Sequence, residues 1–390
     1  MANYLFINYE YPPIGGGAGT ACQQIARVFS KRGHHVVVLT AGFSQLQGEM
    51  VEDGVTVVRI PSARKSAYQS GIFEMLSYVL LASRKAPAVS KAHQTDATLA
   101  FFSVPGGIVA RWLHLRRRIP YVVSLRGGDV PGTEPHLGVF YSLLRLTRHS
   151  ILGHAQAVCA PSRGLKELSE KTDPFPVRVA PNGVDTELFH PDPGRRAKIP
   201  TLLSVGRLHA QKNVRYLLKL IAVLRNKTEV RARIIGDGPE RPSLEATAAS
   251  LGLTDCVQFD GWLHRGAIRE AYQSAALLVH ASSYEGMSNV ILEALASGLP
   301  VVASNIPENG ELIQDGINGF LFDPKADPEP VVSRILSLMQ NQSEWQRLSA
   351  GARTTIEQRF SWNDAADLYE KLLTEQPQMD PPSRDAEDRR

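Results

Sequence analysis

The sequence has few of the residues that would place it among disulfide-rich, metal-binding or membrane-spanning proteins. Its 390 residues include only three cysteines, Cys22, Cys159 and Cys256, which lie far apart and match no metal-ligand spacing. An odd number of scattered cysteines argues against a disulfide framework and for a reducing compartment. The longest apolar helix candidate, residues 72–82, is too short to span a bilayer and contains Glu74.

The amino-terminal residues, MANYLFINYEYPP, have no basic segment before their apolar run. This arrangement predicts a first β-strand and not a signal peptide. Together with the cysteine content, it predicts a cytoplasmic protein. The 43% hydrophobic and 21% charged residues are typical of a globular protein, and the length predicts about two domains.

The two halves of the chain differ in charge. Residues 1–190 contain 20 Lys and Arg against 13 Asp and Glu, a net charge of +7, whereas residues 191–390 contain 23 against 26, a net charge of −3. A basic surface attracts anionic lipid headgroups or phosphorylated ligands, and the alternative is a solvated helix end. No helix-turn-helix, zinc or RNA-binding signature accompanies the charge, so no nucleic-acid partner is expected. The clustered cations are Arg64, Lys65, Arg111, Arg116, Arg117 and Arg118.

Apolar runs alternate with helical segments through both halves, and continuous apolar or β-branched runs predict buried parallel strands. In the first half these runs lie at 4–9, 35–40, 55–60, 97–102, 121–125, 157–160 and 177–180. Helices are predicted at about 20–32, 70–93, 105–117, 138–150 and 163–171. The second half repeats the scheme from Thr201 to Phe322, and further helices are predicted at about 328–340 and 343–373. Two successive βαβ series predict an α/β protein with two doubly wound parallel sheets.

Prolines and a glycine within residues 182–200 predict the boundary between the two domains. The last residues, 376–390, are proline-rich and charged and predict a disordered tail.

Two cations follow the strand that begins at Thr201. Arg207 and Lys212 lie in the run GRLHAQKN, just before a predicted helix. Arginine offers a planar fork that matches phosphate oxygens, and lysine adds a mobile point charge. The pair could neutralise a diphosphate without a metal, and the chain has no Asp-x-Asp triplet of the kind that holds a metal on a nucleotide. The alternative is two ordinary surface cations.

The segment EGMSNVILE carries two carboxylates, Glu285 and Glu293. Carboxylates accept paired hydrogen bonds from vicinal diols such as those of ribose and hexoses. Glu293 lies in an apolar stretch, and because an unpaired buried carboxylate is costly, a ligand-facing position is favoured over a surface position. Ser288 is a good N-cap for the helix that follows. Backbone amides that could bind a phosphate lie at Gly286, Met287 and Ser288.

In an open parallel sheet, ligands bind outside the carboxyl ends of the strands. The residues expected to converge there on one ligand are Arg207, Lys212, Gly236, Gly238, Glu285 and Glu293.

Two loops of the first half are candidates for the same ligand. In YEYPPIGGGAGT, the glycines before a helix suit an anion near Gly16 and Gly17, and the alternative is a tight turn without a ligand. The series does not complete G-x-G-x-x-G, because position 20 is Thr20, which argues against a nicotinamide cofactor. In SLRGGDVPG, Arg126 and Asp129 follow a strand, and the alternative is a salt bridge between them.

These motifs, taken in order, resemble glycosyltransferase family 4, a group of retaining enzymes with two facing Rossmann-like domains in the GT-B architecture. The ordered set is specific for the family and not for its substrate. The matches are PPxxGG at 12–17, NGVDxxxF at 182–189, VGRLxxxKN at 205–213, GDGPE at 236–240, the E-x7-E pair Glu285 and Glu293, and GINGFLFDP at 316–324.

The resemblance implies that residues 191–357 bind a nucleoside diphosphate sugar, a UDP- or GDP-sugar, without a metal. Arg207 and Lys212 would hold the diphosphate, Glu285 the sugar and Glu293 the ribose. Further residues at the donor would be Gly16, Gly17, Gly286, Met287, Ser288 and Asn289, and the base would lie near Val257 and Phe259. Residues 1–190 would bind the acceptor, and a helix within about 358–375 would cross back to that domain.

Position 126 departs from the family pattern. Many members carry histidine in an H-G-x-D run, whereas this chain has R-G-G-D from Arg126. Arginine does not titrate near neutral pH, so residue 126 is not expected to transfer a proton. This suits a mechanism in which the departing phosphate takes the proton of the acceptor.

The predicted function is therefore transfer of a sugar, with retention, to a glycan or lipid-linked acceptor in cell-surface glycan, polysaccharide or glycolipid synthesis. Peripheral contact with the anionic inner face of the plasma membrane is a further hypothesis. The alternatives are a catalytically silent sugar-nucleotide-binding paralogue and a sugar-nucleotide epimerase.

Overall fold

The computed structural model describes residues 1–66, 71–133 and 138–375, with the backbone alone for 138–143. The chain divides into two compact units. The first comprises the described residues of 1–160, 168–180 and 366–375, and the second comprises 161–167 and 181–365. The tail predicted at 376–390 lies outside the described residues.

The described part of the first unit is built on one sheet of eight strands. The strands are β1 (Asn3–Ile7), β2 (His35–Ala41), β3 (Gly48–Glu52), β4 (Val55–Ile60), β5 (Ala97–Phe101), β6 (Tyr121–Ser124), β7 (Ala157–Ala160) and β8 (Val177–Val179). Their order is β3-β4-β2-β1-β5-β6-β7-β8, and every neighbouring pair is parallel except β3 and β4. The apolar runs of the first half are thus buried parallel strands, as their continuous hydrophobicity predicts.

Helices connect these strands. They are α1 (Gly17–Lys31), α2 (Ile72–Ala92), α3 (Gly107–Arg117), α4 (Gly138–Gly153) and α5 (Arg163–Thr172). The helix predicted from residue 105 begins later, because an irregular turn, Phe102–Gly106, follows β5 first. Gly106 is required in this turn, since a Cβ atom there would lie 2.2 Å from the carbonyl oxygen of Phe101.

Within residues 181–365, all of which are described, six parallel strands form the sheet of the second unit. They are β9 (Thr201–Val205), β10 (Arg231–Ile235), β11 (Val257–Gly261), β12 (Leu277–His280), β13 (Val301–Ser304) and β14 (Gly319–Phe322), in the order β11-β10-β9-β12-β13-β14. The helices are α6 (Val214–Leu224), α7 (Arg241–Ser250), α8 (Arg265–Ser274), α9 (Asn289–Ala296), α10 (Pro307–Gly310), α11 (Pro328–Gln340) and α12 (Gln342–Arg359).

Alternating side chains of each strand face two different hydrophobic layers. Leu202 of β9 packs in the layer that contains Leu217 of α6, whereas the next residue, Leu203, packs in the layer that contains Leu292 of α9. Each fully buried leucine stabilises the fold by roughly 1.5–3 kcal/mol relative to an exposed one. The sheet is therefore held from both faces, as in a doubly wound fold.

The single helix predicted at 343–373 is wrong, because α12 ends at Arg359 and α13 (Trp362–Thr374) begins after a break. Ser361 explains the break, since its Oγ accepts hydrogen bonds from the amides of Asn363 at 3.0 Å and Asp364 at 3.4 Å. A serine followed three residues later by an acidic residue is a helix-start signal. Residues from Ala366 onward belong to the first unit.

Candidate active site

The strand order of the second sheet reverses between β9 and β12. In an open parallel sheet, the carboxyl edge at such a reversal is where ligands bind. The loop after β9 carries Arg207 and Lys212, and the loop after β12 carries Glu285. The structure therefore brings these three residues to the same edge.

Lys212 and Glu285 form an ion pair across this edge. The Lys212 Nζ lies 2.5 Å from Oε1 of Glu285, and the two side chains are only 17% and 9% exposed. The loops that carry them are also joined directly, because Gln211 donates through Nε2 to the carbonyl of Tyr284 at 2.7 Å. This places a cation and a carboxylate, both poorly solvated, at one point of the reversal.

Arg207 differs from Lys212 in its surroundings. Its side chain is exposed, and its guanidinium has no hydrogen bond or ion pair with residues 1–66, 71–133 or 138–375. A guanidinium at the ligand edge without a protein partner can donate two parallel hydrogen bonds to an anion such as phosphate.

The backbone after β9 is fixed by close packing against the loop after β10. Gly236 has φ +129°, and a Cβ atom on it would lie 1.9 Å from the carbonyl oxygen of Gly206. The amide of Leu208 donates to the carbonyl of Asp237 at 2.9 Å. Only glycine fits at position 236, and Gly238 belongs to the same loop, which explains the G-D-G sequence without requiring these glycines to touch a ligand.

The loop from Gly286 to Asn289 leads into α9. Ser288 is the N-cap, and its Oγ accepts from the amide of Ile291 at 3.3 Å. Asn182 of the N-G-V-D motif donates through Nδ2 to Oδ1 of Asn289 at 2.8 Å, and its amide lies 3.2 Å from Sδ of Met287. Asn182 of the motif at 182–185 therefore helps to hold this loop in place.

Glu293 lies half-buried on α9, where it accepts a hydrogen bond from the hydroxyl of buried Tyr272 at 3.1 Å. Burial raises the pKa of Glu293 to about 7, although the Arg265 charge and the Tyr272 hydrogen bond oppose the rise. A ligand diol would donate to the ionised carboxylate, so binding of a diol would favour that form.

Val257 is not at the ligand edge. It is the first residue of β11, it pairs with Ala232, and it packs in the hydrophobic core of the second unit. The carboxyl end of β11, at Gly261, is four residues further on, about 13 Å along the strand. The prediction that Val257 contacts a base is corrected in this respect, because its side chain is part of the core.

Gly16 and Gly17 belong to the first unit, at the start of α1. This position is also a reversal of strand order, since β1 lies between β2 and β5. The amide of Gly16 donates to Oε2 of Glu10 at 3.0 Å. A carboxylate thus lies where an anionic ligand would meet this amide, and such a ligand would have to displace it.

Arg126 also belongs to the first unit. Its guanidinium lies over the ring of Phe101, 4.7 Å from the centroid, and donates to the hydroxyl of Tyr369 at 3.0 Å. Asp129 accepts hydrogen bonds from the backbone amides of Arg126 at 2.9 Å and Ser103 at 2.5 Å. Asp129 therefore organises the backbone of this loop, and Arg126 is held by α13.

Two family models match the chain in succession. The model described as Glycosyl transferase 4-like domain matches residues 16–183, and the model described as Glycosyl transferases group 1 matches residues 185–355. The chain belongs to the family 4 type of glycosyltransferases. Sucrose-phosphate synthase from Thermosynechococcus elongatus has the same fold, with a TM-score of 0.82 at 19% identity over 95% of this chain and 99% of that one.

Two further comparisons describe the relatives of this glycosyltransferase. Anabaena Alr3699/HepE, in a crystal structure with UDP and glucose, has a TM-score of 0.76 at 21% identity over 96% of this chain and 99% of that one. The alpha-monoglucosyldiacylglycerol synthase of Streptococcus pneumoniae is 26% identical over 82% of this chain and 74% of its own sequence. The mixed sheet of the first unit, the all-parallel sheet of the second and these neighbours confirm the predicted GT-B architecture.

Sequence reasoning about this glycosyltransferase missed two residues. His280 ends β12 and contacts Glu285, and Tyr369 contacts Arg126. A histidine that ends an apolar strand at the carboxyl edge is a signal for the first, but no local pattern points to the second. In the part of the chain that the structure describes, no helix is both apolar and long enough to span a bilayer.

Proposed function

We propose that the glycosyltransferase transfers a sugar from a nucleoside diphosphate sugar to a hydroxyl acceptor with retention at the anomeric carbon. The observation that carries this proposal is the cluster of Arg207, Lys212 and Glu285 at the reversal of the second sheet. The UDP and glucose in the Anabaena Alr3699/HepE structure support a nucleotide-sugar donor.

In this proposal the exposed Arg207 and the ammonium of Lys212, which leaves Glu285, bind the diphosphate. Glu285 accepts hydrogen bonds from sugar hydroxyls, and the ionised form of Glu293 accepts those of the ribose diol. The amides of the Gly286–Asn289 loop and the N-terminus of α9 add further positive potential. Two cations of this kind can neutralise the diphosphate without a metal ion.

The reaction would break the bond between the anomeric carbon and a phosphate oxygen and form a bond to the acceptor oxygen on the same face. The phosphate oxygen that leaves takes the proton of the acceptor, because Arg126 cannot take it near neutral pH. Negative charge grows on the diphosphate in the transition state, and Arg207 and Lys212 stabilise it there. Catalysis is then mainly electrostatic.

The experiment that tests this function combines binding with product analysis. A sugar nucleotide at 100 times its Kd should stabilise the protein by about 2.7 kcal/mol. We expect UDP or GDP to stabilise more than the matching monophosphate, because both cations contact a diphosphate. With a glucosyl or galactosyl donor, NMR should show the donor's α configuration in the product. A β product would contradict retention, and interconversion of donors without acceptor would indicate an epimerase instead.

We also propose a glycan or lipid-linked acceptor reached from the cytoplasmic face of a membrane. The support is a face of the first unit on α2 and α3, here called the α2–α3 face. Trp112 joins the two helices by donating to the carbonyl of Ser83 at 3.1 Å. The exposed apolar residues of this face are Ile72, Phe73, Leu76, Leu80, Trp112 and Leu115, and its exposed cations are Arg84, Lys85, Arg116, Arg117 and Arg118. Apolar side chains flanked by cations suit an anionic bilayer.

Flotation with vesicles tests the α2–α3 face. We expect the protein to float with phosphatidylglycerol-containing vesicles at low salt and not with pure phosphatidylcholine. Phe73 is 86% exposed and Leu76 is 55% exposed. Their joint replacement by serine should reduce binding about ten-fold or more, because two apolar side chains no longer leave water. Leu251→Ser, in the second unit, is the matched control and should bind normally. Equal flotation of the double variant would reject this face.

A further inference from the structure

His280 connects the ligand edge of the second unit to its core. It is the last residue of β12 and is only 4% exposed. Its Nε2 lies 3.0 Å from Oε1 of Glu285, 3.1 Å from Oγ of Ser282 and 3.3 Å from Oγ of Ser288. One ring nitrogen thus lies among the carboxylate and the two hydroxyls of the loop that follows.

The contact with Glu285 determines which ring nitrogen carries the hydrogen. Burial alone would raise the pKa of Glu285, but the Lys212 charge and the His280 hydrogen bond outweigh it and hold the pKa well below its usual range. Burial lowers the pKa of His280, although Glu285 opposes this, so the ring is neutral near pH 7. An ionised carboxylate only accepts hydrogen bonds. The Nε2 atom of His280 is therefore the donor.

Lys212 has two tasks that compete. In the structure its ammonium lies 2.5 Å from the same Oε1 atom of Glu285 that His280 contacts. In the proposed function it binds the donor diphosphate. A buried carboxylate that loses its cation is costly unless another donor remains on it. His280 is that remaining donor, because its position on a strand of the core does not depend on the ligand.

We propose that His280 is a positioning residue that holds Glu285 ionised and aimed at the sugar when Lys212 moves from Glu285 to the donor diphosphate. This inference rests on the proposed function. In this proposal, donor binding begins when Lys212 exchanges Glu285 for the diphosphate as its partner. A further charged group near Glu285 is Glu308 of α10, whose own pKa is raised, first by burial and also by the Glu285 charge.

Two substitutions at His280 test the inference. His280→Leu removes the donor and substitutes an apolar side chain of similar size, whereas His280→Gln keeps an N–H at nearly the same place. We expect kcat of the leucine variant to fall on the order of 10-fold to 10²-fold, because Glu285 is no longer held in position. The KM for the donor should also rise, since the departure of Lys212 then leaves the buried Glu285 carboxylate without a hydrogen-bond donor. The glutamine variant should recover most of the lost kcat.

The dependence of kcat on pH separates positioning from a structural role. Without the His280 hydrogen bond, the pKa of Glu285 in the donor complex rises, so the acid side of the kcat profile should move to higher pH in the leucine variant alone. A uniform loss of kcat with an unmoved acid limb, or a loss in the glutamine variant as large as in the leucine variant, would overturn the inference.

A measurement independent of turnover completes the test. ¹⁵N NMR of histidine-labelled protein should show His280 neutral with its hydrogen on Nε2, and its signal is assigned by its absence from His280→Gln. A hydrogen on Nδ1 would overturn the positioning role even in an active enzyme. If the wild-type protein turns over no sugar nucleotide although His280 carries its hydrogen on Nε2, the proposed function fails and the hydrogen bond to Glu285 stands.

Discussion

Replacement of Arg207 by alanine should lower the turnover of sugar nucleotide on the order of 10²-fold or more while leaving the melting temperature unchanged. The side chain is exposed and has no partner in the described part of the chain, so its removal costs the folded protein nothing. Its fork would act only on the diphosphate, where charge grows in the transition state. Steady-state kinetics with the best donor and a thermal melt check both parts.

The control for Arg207 lies on the same sheet. Arg231 is an exposed arginine at the amino end of β10, at the opposite edge, so Arg231→Ala removes the same charge without touching the ligand edge. It should keep full activity. Arg207→Lys should be intermediate, because lysine keeps the charge but loses the bidentate geometry. Normal turnover by Arg207→Ala would show that the diphosphate binds elsewhere.

Replacement of Lys212 by alanine should have a comparable effect on turnover and, in contrast, should also destabilise the protein. Lys212 and Glu285 are a mostly buried pair, and loss of the cation leaves the carboxylate without its charge partner. Removal of one partner of a fully buried pair costs about 3 kcal/mol or more. The expected loss is smaller here, because the His280 hydrogen bond remains on Glu285. The double variant Lys212→Ala/Glu285→Gln should regain much of the free energy of unfolding but none of the activity, because its remaining neutral amide is less costly to bury.

The coupling free energy between Lys212 and Glu285 is measured by urea unfolding of four proteins: the wild type, Lys212→Ala, Glu285→Gln and the double variant. The pKa of Glu285 is depressed in the folded protein, so its contribution is present at neutral pH and is lost as the pH falls. In Lys212→Ala the pKa of Glu285 is higher, and its protonation at acid pH relieves the penalty. The difference from wild type should therefore shrink from pH 7 toward pH 5. A stable Lys212→Ala protein at pH 7 would contradict the pairing.

The parallel sheets could be predicted because buried strands are continuous apolar runs. The antiparallel strand β3 was not predicted, because its residues, GEMVE, are mostly exposed and do not form a continuous apolar run. The turn that follows it, Asp53-Gly54, has φ +52° and +79°, and an Asp-Gly pair between strands is a hairpin signal. The break between α12 and α13 was missed for a similar reason, since the hydrophobic period continues across Ser361 while only its capping side chain ends the helix.

The meeting of Lys212 and Glu285 could be predicted because carboxyl ends of parallel strands share one edge. Their direct pairing could not, since each had been assigned to a different part of the donor. The position of Val257 could not be predicted from the family resemblance, because a residue can be near a site in sequence while its side chain packs in the core. The contact between Arg126 and Tyr369 joins residues 243 positions apart, and no local pattern encodes it.

The first unit takes its last helical residues from the far end of the chain. Glu370 pairs with Arg32, and Glu375 pairs with Arg178, both within that unit. A ribosome therefore finishes the entire second unit before it releases the residues that complete the first. During synthesis, Arg126 therefore lacks its Tyr369 partner until residues 366–375 have been made, so the first unit can be completed only after the residues of the second have been translated.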